Sequence, residues 1–211
     1  MRTLVFSDVH GNLPAFEQML RHAGAVDRYV CLGDVVNYGP WSTECVQLLE
    51  TLPNCDRLMG NHDRAFLDGV YGGRHPVVQA FFRQCHQGFT GQAALARYTE
   101  TCMVGQFRAQ HTINDDYIFA DSPLALDGNY LIGHSHHQFR RESNGWVLVN
   151  AGSVGQNRRY LNVIDYLVCG PGSNDVRLAN LTYDVAPVLA AMRAADYPPA
   201  CIAYYESKPL A

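Results

Sequence analysis

Seven residues of types that hold divalent cations recur in short strings, each behind an apolar run: Asp8-x-His10, Gly33-Asp34, Gly60-Asn61-His62-Asp63, His111 and Gly133-His134-Ser135-His136. Imidazole, carboxylate and amide oxygen without thiolate suit borderline ions such as Mn, Fe, Co, Ni or Zn. Asp34, turned off a strand end by Gly33, can bridge two such ions, which lie ~3.5–4 Å apart in paired sites. His62, beside Asn61, can act as a general acid without being a ligand. Only Asp8 and Asp34 face the two divalent ions, so the site keeps a surplus of positive charge and favours an anionic substrate, phosphate first. Taken singly, each string is weak. Asp and His are common in loops, Gly-Asp is an ordinary turn, and a lone His111 reads most simply as a satisfied or surface histidine. Alternate residues on a strand point to opposite faces, so His134 and His136 can reach one ion pair only if the chain bends, and Gly133 is the candidate for that bend. The ordered set carries the argument.

The elements that must deliver these residues are legible in the periodicity. Thr3 to Ser7, Tyr29 to Leu32 and Arg57 to Met59 read as buried strands. Between them lie a helix after Asn12, with Leu13, Phe16 and Leu20 on one face and Gly24 at its end, and a helix over Trp41 to Leu52. Strand–helix–strand–helix–strand implies parallel pairing with right-handed crossovers, and functional loops beyond the carboxyl ends of the strands. Asp8, Asp34 and Asn61 fall there. Helices are expected from Pro76 to about Gln87 and from Gln92 to Thr99. The second half reads as strands over Gly105 to Gln110, Tyr130 to Ile132, Gln138 to Glu142, Val147 to Asn150, Leu161 to Val168 and Val176 to Thr182, with Asn144-Gly145 as a hairpin turn. Asp184 caps a last helix, which Pro198-Pro199 ends. The α/β first half and β-rich second half suit two facing sheets with helices outside.

The chain has 211 residues, 47% of them hydrophobic, which suits one domain spanning 1–211. A net charge of -4 gives no evident nucleic-acid surface. No apolar run reaches the roughly 18 residues of a membrane span, and the start carries no secretory signal. Seven cysteines without C-x-x-C spacing read as buried thiols in a reducing cytoplasm.

The residues resemble those of the calcineurin-like metallophosphoesterase superfamily, whose order is Asp-x-His, Gly-Asp, Gly-Asn-His-Asp/Glu, His and Gly-His-x-His. Ser7-Asp8-Val9-His10-Gly11-Asn12-Leu13-Pro14, Gly33 to Pro40 and Asn150 to Gln156 are similar to its small bacterial and archaeal phosphodiesterase branch. The resemblance covers roughly residues 1 to 165. It implies a four-layer α/β/β/α sandwich with two mixed sheets flanked by helices. It also implies a site in which Asp8, His10, Asp34 and His136 hold one metal, and Asp34, Asn61, His111 and His134 the other. A hydroxide bridging the two ions would attack phosphorus in line while His62 assists the leaving group. The expected activity is hydrolysis of small phosphate esters, phosphodiesters ahead of monoesters. The alternatives are a non-catalytic scaffold of the same fold that binds a protein partner, and a protein phosphatase. The sequence leaves an oligomer open.

Three departures stand out. Thr112 follows His111 where the family usually has glycine. Only 22 residues separate His111 from His134, which leaves little room for a helical insertion over the site. Asn37 stands where the protein phosphatases of the superfamily carry an aspartate that orients the catalytic histidine, so acid–base work falls to a weaker His62 or to Asp63. For substrate binding, Arg158 after the Gly152 to Gly155 stretch is a candidate phosphate contact, and so is Asn12 at its helix start. Each has an equally good plain reading, as a solvated arginine and as an N-cap.

Overall fold

The computed structural model describes residues 1–172 and 175–211. Along the chain, β1 (Thr3–Phe6), α1 (Leu13–Ala23), β2 (Arg28–Cys31), α2 (Ser42–Thr51) and β3 (Cys55–Arg57) form the α/β half. Then come α3 (Asn61–Asp68), α4 (Pro76–His86), α5 (Gln92–Leu95), β4 (Thr101–Val104), β5 (Phe107–Gln110) and β6 (Asn129–Ile132). The chain finishes with β7 (Gln138–Ser143), β8 (Trp146–Ala151), β9 (Val163–Cys169), β10 (Val176–Thr182), α6 (Ala186–Ala194) and α7 (Pro199–Glu206). The strands make two mixed five-stranded sheets, ordered β10-β9-β1-β2-β3 and β4-β5-β6-β8-β7. In the first, β1, β2 and β3 run parallel, as the crossover pattern predicts. In the second, β5, β6 and β8 are the parallel core.

Val5, Val30, Leu32 and Leu58 of the first sheet meet Phe107, Ala109, Leu131 and Val149 of the second in a layer between the sheets. Leu4, Phe6 and Cys31 face the other way, onto Phe16, Met19, Cys45 and Leu49 of α1 and α2. Each such large side chain contributes about 1.5–3 kcal/mol when fully buried, so alternation along β1 pins both interfaces at once. The outer face of the second sheet, Tyr130, Ile132, Phe139 and Leu148, is covered by Ile118 and Leu126 from the stretch between β5 and β6. The Arg141 guanidinium gathers that stretch by donating to the carbonyls of Ala120, Ser122 and Leu124.

Several elements differ from the sequence reading, among them the helix expected over Gln92 to Thr99, which ends at Leu95 as α5. β3 lies two residues earlier, because Leu58 and Met59 leave it to join Thr99. The expected strand at Gly105 starts at Phe107, since Gly105 has φ +59° and turns the chain out of the unforeseen β4 into β5. A helix begins at Asn61 itself. Pro199 opens α7 rather than merely ending α6, because proline at the first helical position lacks only an N–H that has no helical partner there. The Asn144-Gly145 hairpin has φ > 0 at both residues, as a type I′ turn requires. All seven cysteines are free thiols. Among the described residues, no helix is long and apolar enough to cross a membrane.

Candidate metal centre

The loops after β1, β2, β3, β5 and β6 meet at one edge of the two sheets. There Asp8, His10, Asp34 and His136 form one group of potential ligand atoms, all within 4.8 Å of one another, and Asp34, His111 and His134 form a second. Asp34 belongs to both. Asn61 joins the second group, with Oδ1 3.1 Å from His111 Nε2. All seven residues that the sequence nominates as metal ligands therefore converge.

Local backbone geometry explains how. Asp8, His10, Asp34, His134 and His136 all have φ between 49° and 66°, a left-handed region that costs L-residues of order 1–2 kcal/mol each. Hydrogen bonds between loops hold them there: Asp8 N to Gly33 O (3.0 Å), His10 N to Asp34 O (3.0 Å) and Gly133 N to His111 O (2.9 Å). The bend that brings His134 and His136 to one place thus lies at the two histidines, not at Gly133. Gly133 serves close approach instead, for a Cβ there would collide with Ser7 Oγ and Asp8 Oδ2. Gly60 likewise leaves room for the Asp34 carboxylate.

Second partners fix the histidine tautomers. Nδ1 of His10 faces Val36 O (2.9 Å), Nδ1 of His111 faces Leu32 O (3.0 Å) and Nδ1 of His136 faces Gln156 O (2.8 Å). A carbonyl only accepts, so each Nδ1 carries the proton, and a neutral ring then presents a lone pair at Nε2. Two of these lone pairs meet head-on, His10 Nε2 and His136 Nε2 at 3.1 Å. Asp8 Oδ1 lies 3.0 Å from His136 Nε2, and Asp34 Oδ2 3.3 Å from His111 Nε2. Asp8 Oδ1, Asp34 Oδ2 and His134 Nε2 are buried without a hydrogen-bond partner. Converging acceptors of this kind repel one another unless a cation sits among them, and the oxygen–imidazole donor set fits divalent transition ions.

The electrostatics agree. Burial works against the charge of Asp34, but His111, His62 and His10 outweigh it and hold the carboxyl far below its usual range. Burial lowers His134 to about 4 and His136 to about 3, which keeps both rings neutral. At His111 burial is overcome by Asp34, which raises the ring to about 10: without an ion, Nε2 takes up a proton among the acceptors Asp34, Asn61 and His134 that a cation would otherwise neutralise.

Two of the nominated residues turn out to be structural. Asp63 is wholly buried. Its Oδ1 accepts from Val35 N (2.9 Å) and Val36 N (3.3 Å), and its Oδ2 from Asp34 N (2.7 Å) and Gly60 N (3.1 Å). It clamps the Asp34 loop to the start of α3 and has no lone pair left for acid–base work. Asn12 is also fully buried: it caps α1 through Ala15 N (3.2 Å) and donates to Gly155 O (3.2 Å) and Tyr183 Oη (2.8 Å). Its amide is spent within the fold, which removes the phosphate contact expected of it.

His62 lies at the site, its ring 5.2 Å from that of His10, whereas Arg158 donates to the hydroxyl of Tyr204 on α7. Asn37 Nδ2 donates to His62 Nδ1 (2.9 Å), which leaves the ring proton on Nε2. Burial lowers His62 to about 3, against the pull of Asp34, so the ring is neutral and a donor. An amide can donate here where a carboxylate can only accept, and that difference gives the Asn37 departure its physical meaning. Thr112 is accommodated by donating Oγ1 to Asp116 O (2.5 Å), leaving His111 in place. Aromatic rings frame the cluster: Tyr71 stacks on His62 (5.2 Å, 8°), Tyr38 packs edge-on to His10 (4.7 Å), and Tyr117 lies against His134 (4.1 Å). Tyr117 lies in an irregular stretch and carried no signal in the sequence. A cavity of about 390 Å³ opens along Asn61, His111 and His134, with Arg64, Glu100 and Asp115 on its far wall.

The sequence profile of the calcineurin-like phosphoesterases matches residues 1–170. The chain belongs to that family. It is 25% identical to an uncharacterized protein of Methanocaldococcus jannaschii over 86% of this chain and 87% of that one. A solved metallophosphoesterase from Sphaerobacter thermophilus superposes with a TM-score of 0.80 at 26% identity, covering 98% of each chain. A symmetrical bis(5'-nucleosyl)-tetraphosphatase of Acidovorax ebreus is 40% identical over a shorter stretch, 33% of this chain and 26% of that protein. The Sphaerobacter structure shares the two flanked sheets, and the family match places the chain among phosphoester hydrolases.

Proposed function

We propose that the protein is a metal-dependent phosphoesterase that hydrolyses phosphodiesters ahead of monoesters, with two divalent transition ions held on either side of Asp34. The observation that carries this reading is the pair of ligand groups sharing Asp34, with opposed lone pairs and orphaned carboxylate oxygens at its centre. Bound there, the ions would supply Lewis-acid charge and an activated water. The chain's own residues do the rest. His62, neutral and protonated on Nε2, offers a hydrogen bond to a phosphate oxygen or to the leaving group. Tyr71 and Tyr38 hold its ring. Asp63 keeps the Asp34 loop from opening. The surplus positive charge draws in an anionic ester, and the cavity beside Asn61 and His111 has room for its organic part. The filled ligand set supports catalysis over a scaffold role, since a scaffold has no need of seven converging donors.

Protein reconstituted with Mn should turn over bis(p-nitrophenyl) phosphate. Asp34→Asn should lower kcat at least about a thousandfold, and His62→Ala about a hundredfold, the range for a positioned proton donor. Undiminished turnover in metal-stripped protein would overturn the proposal.

A further inference from the structure

Beyond the matched residues 1–170, the chain builds a wall onto the site. Arg158 is partly buried, and its guanidinium donates to the hydroxyl of Tyr204 on α7. Tyr38 in turn packs against His10 and His62 (4.7 and 5.4 Å) and against Tyr204 (6.2 Å). Lys208, just past α7, donates to Gln156 Oε1 (2.7 Å) and Asn157 O (3.0 Å) and lies 4.9 Å over the Tyr204 ring. Gln156 links this wall to the cluster, because its carbonyl faces His136 Nδ1. Arg158 is thus joined, through Tyr204 and Tyr38, to the rings of His10 and His62 at the first ligand group.

Neither Arg158 nor Lys208 has a carboxylate partner among the described residues. A guanidinium drawn partly out of water without a counter-charge is costly unless an anion arrives, and burial together with the Arg158 charge lowers Lys208 to about 7. Two divalent ions against Asp8 and Asp34 already exceed the single charge of a phosphodiester. An additional fixed cation therefore suits a substrate with more than one negative charge, and a guanidinium oriented by a hydroxyl is pre-aligned for a phosphate.

We propose that Arg158, oriented by Tyr204, which packs between Tyr38 and Lys208, docks a second phosphate next to the scissile one, so that the preferred substrates are phosphate esters carrying a further phosphate group. This deepens the phosphoesterase reading and rests on it. Arg158 is then a binding residue, while Tyr204 and Lys208 are positioning residues supplied by the segment after the family module.

The test compares two p-nitrophenyl esters with the same leaving group, one of a nucleoside 5'-monophosphate and one of the corresponding 5'-diphosphate, on the full Mn-loaded chain. Wild-type protein should favour the diphosphate ester in kcat/KM by about thirtyfold, the scale of a charge-assisted fork. Arg158→Gln should reduce that preference to below about threefold. Tyr204→Phe, nearly isosteric and so expected to fold, should cut it about fivefold, mainly through KM. Calorimetric affinities for the two esters read the same preference without turnover. An equal loss on both esters in Arg158→Gln, or no wild-type preference in either measurement, would overturn the inference. Absence of turnover on both esters, with the affinity preference intact, would instead count against the phosphoesterase reading alone.

Discussion

Asp63 shows how a residue can look catalytic in a string and be structural in space. The sequence Gly60-Asn61-His62-Asp63 offers a second carboxyl beside the histidine. In the fold that carboxyl takes four backbone N–H groups from two loops, and burial, reinforced by the neighbouring Asp34, raises it to about 6. Asp63→Ala would leave four buried donors without partners, at about 1–3 kcal/mol each before relaxation. Urea unfolding should show a loss of roughly 3–5 kcal/mol, and Asp63→Asn, which keeps one acceptor oxygen, about half of that. A loss below about 1 kcal/mol in the alanine variant would mean that the clamp is not needed. The ligands themselves were legible because their identity and order are chemical facts of the sequence. The Asp63 clamp was not, because it depends on which amides the loops bring within reach.

Among the elements, β9 carries an acidic residue into the interior. Asp165 is buried, accepts from Asn157 Nδ2 (2.6 Å) and is pushed up by burial to about 7. A carboxyl whose folded pKa exceeds its unfolded value near 3.8 binds protons more tightly when folded. It therefore reduces stability as pH rises from about 4 to about 7, and the loss is constant above that. Asp165→Asn, which retains an oxygen for Asn157, should match wild type near pH 4 and exceed it by roughly 2–4 kcal/mol at pH 8. Chemical denaturation at the two pH values reads the difference, and a variant less stable at pH 8 would show that the charge is matched in the fold. Element order was legible to the same degree as its cause was local. Short apolar runs gave β1 and β2, strand-forming stretches between turn residues gave β6 to β10, and proline gave the start of α4. The β4 strand was missed because its exposed, mixed residues show no alternation, and it exists by pairing with β5. α7 was missed because its apolar residues do not gather on one face.

At the scale of the molecule, two stacked sheets bring the ends of five strands to one edge, and the strained loops there set seven candidate ligands in place. The second half of the chain is as necessary as the first. His111, His134 and His136 come from the second sheet, and Tyr204 and Lys208 from the segment after it. The sequence revealed the first contribution through its Gly-His-x-His string. It gave no hint of the second, since tyrosine and lysine near a chain end mean nothing until α7 is laid against Tyr38. The central claim is that this edge holds a pair of cations. The most direct measurement is anomalous diffraction from crystals of the protein grown with Mn, recorded on either side of the Mn absorption edge. Two peaks should appear, one among Asp8, His10, Asp34 and His136 and the other among Asp34, Asn61, His111 and His134, ~3.5–4 Å apart. No Mn peak between those side chains, or a single peak at a position that leaves Asp34 unshared, would contradict the account.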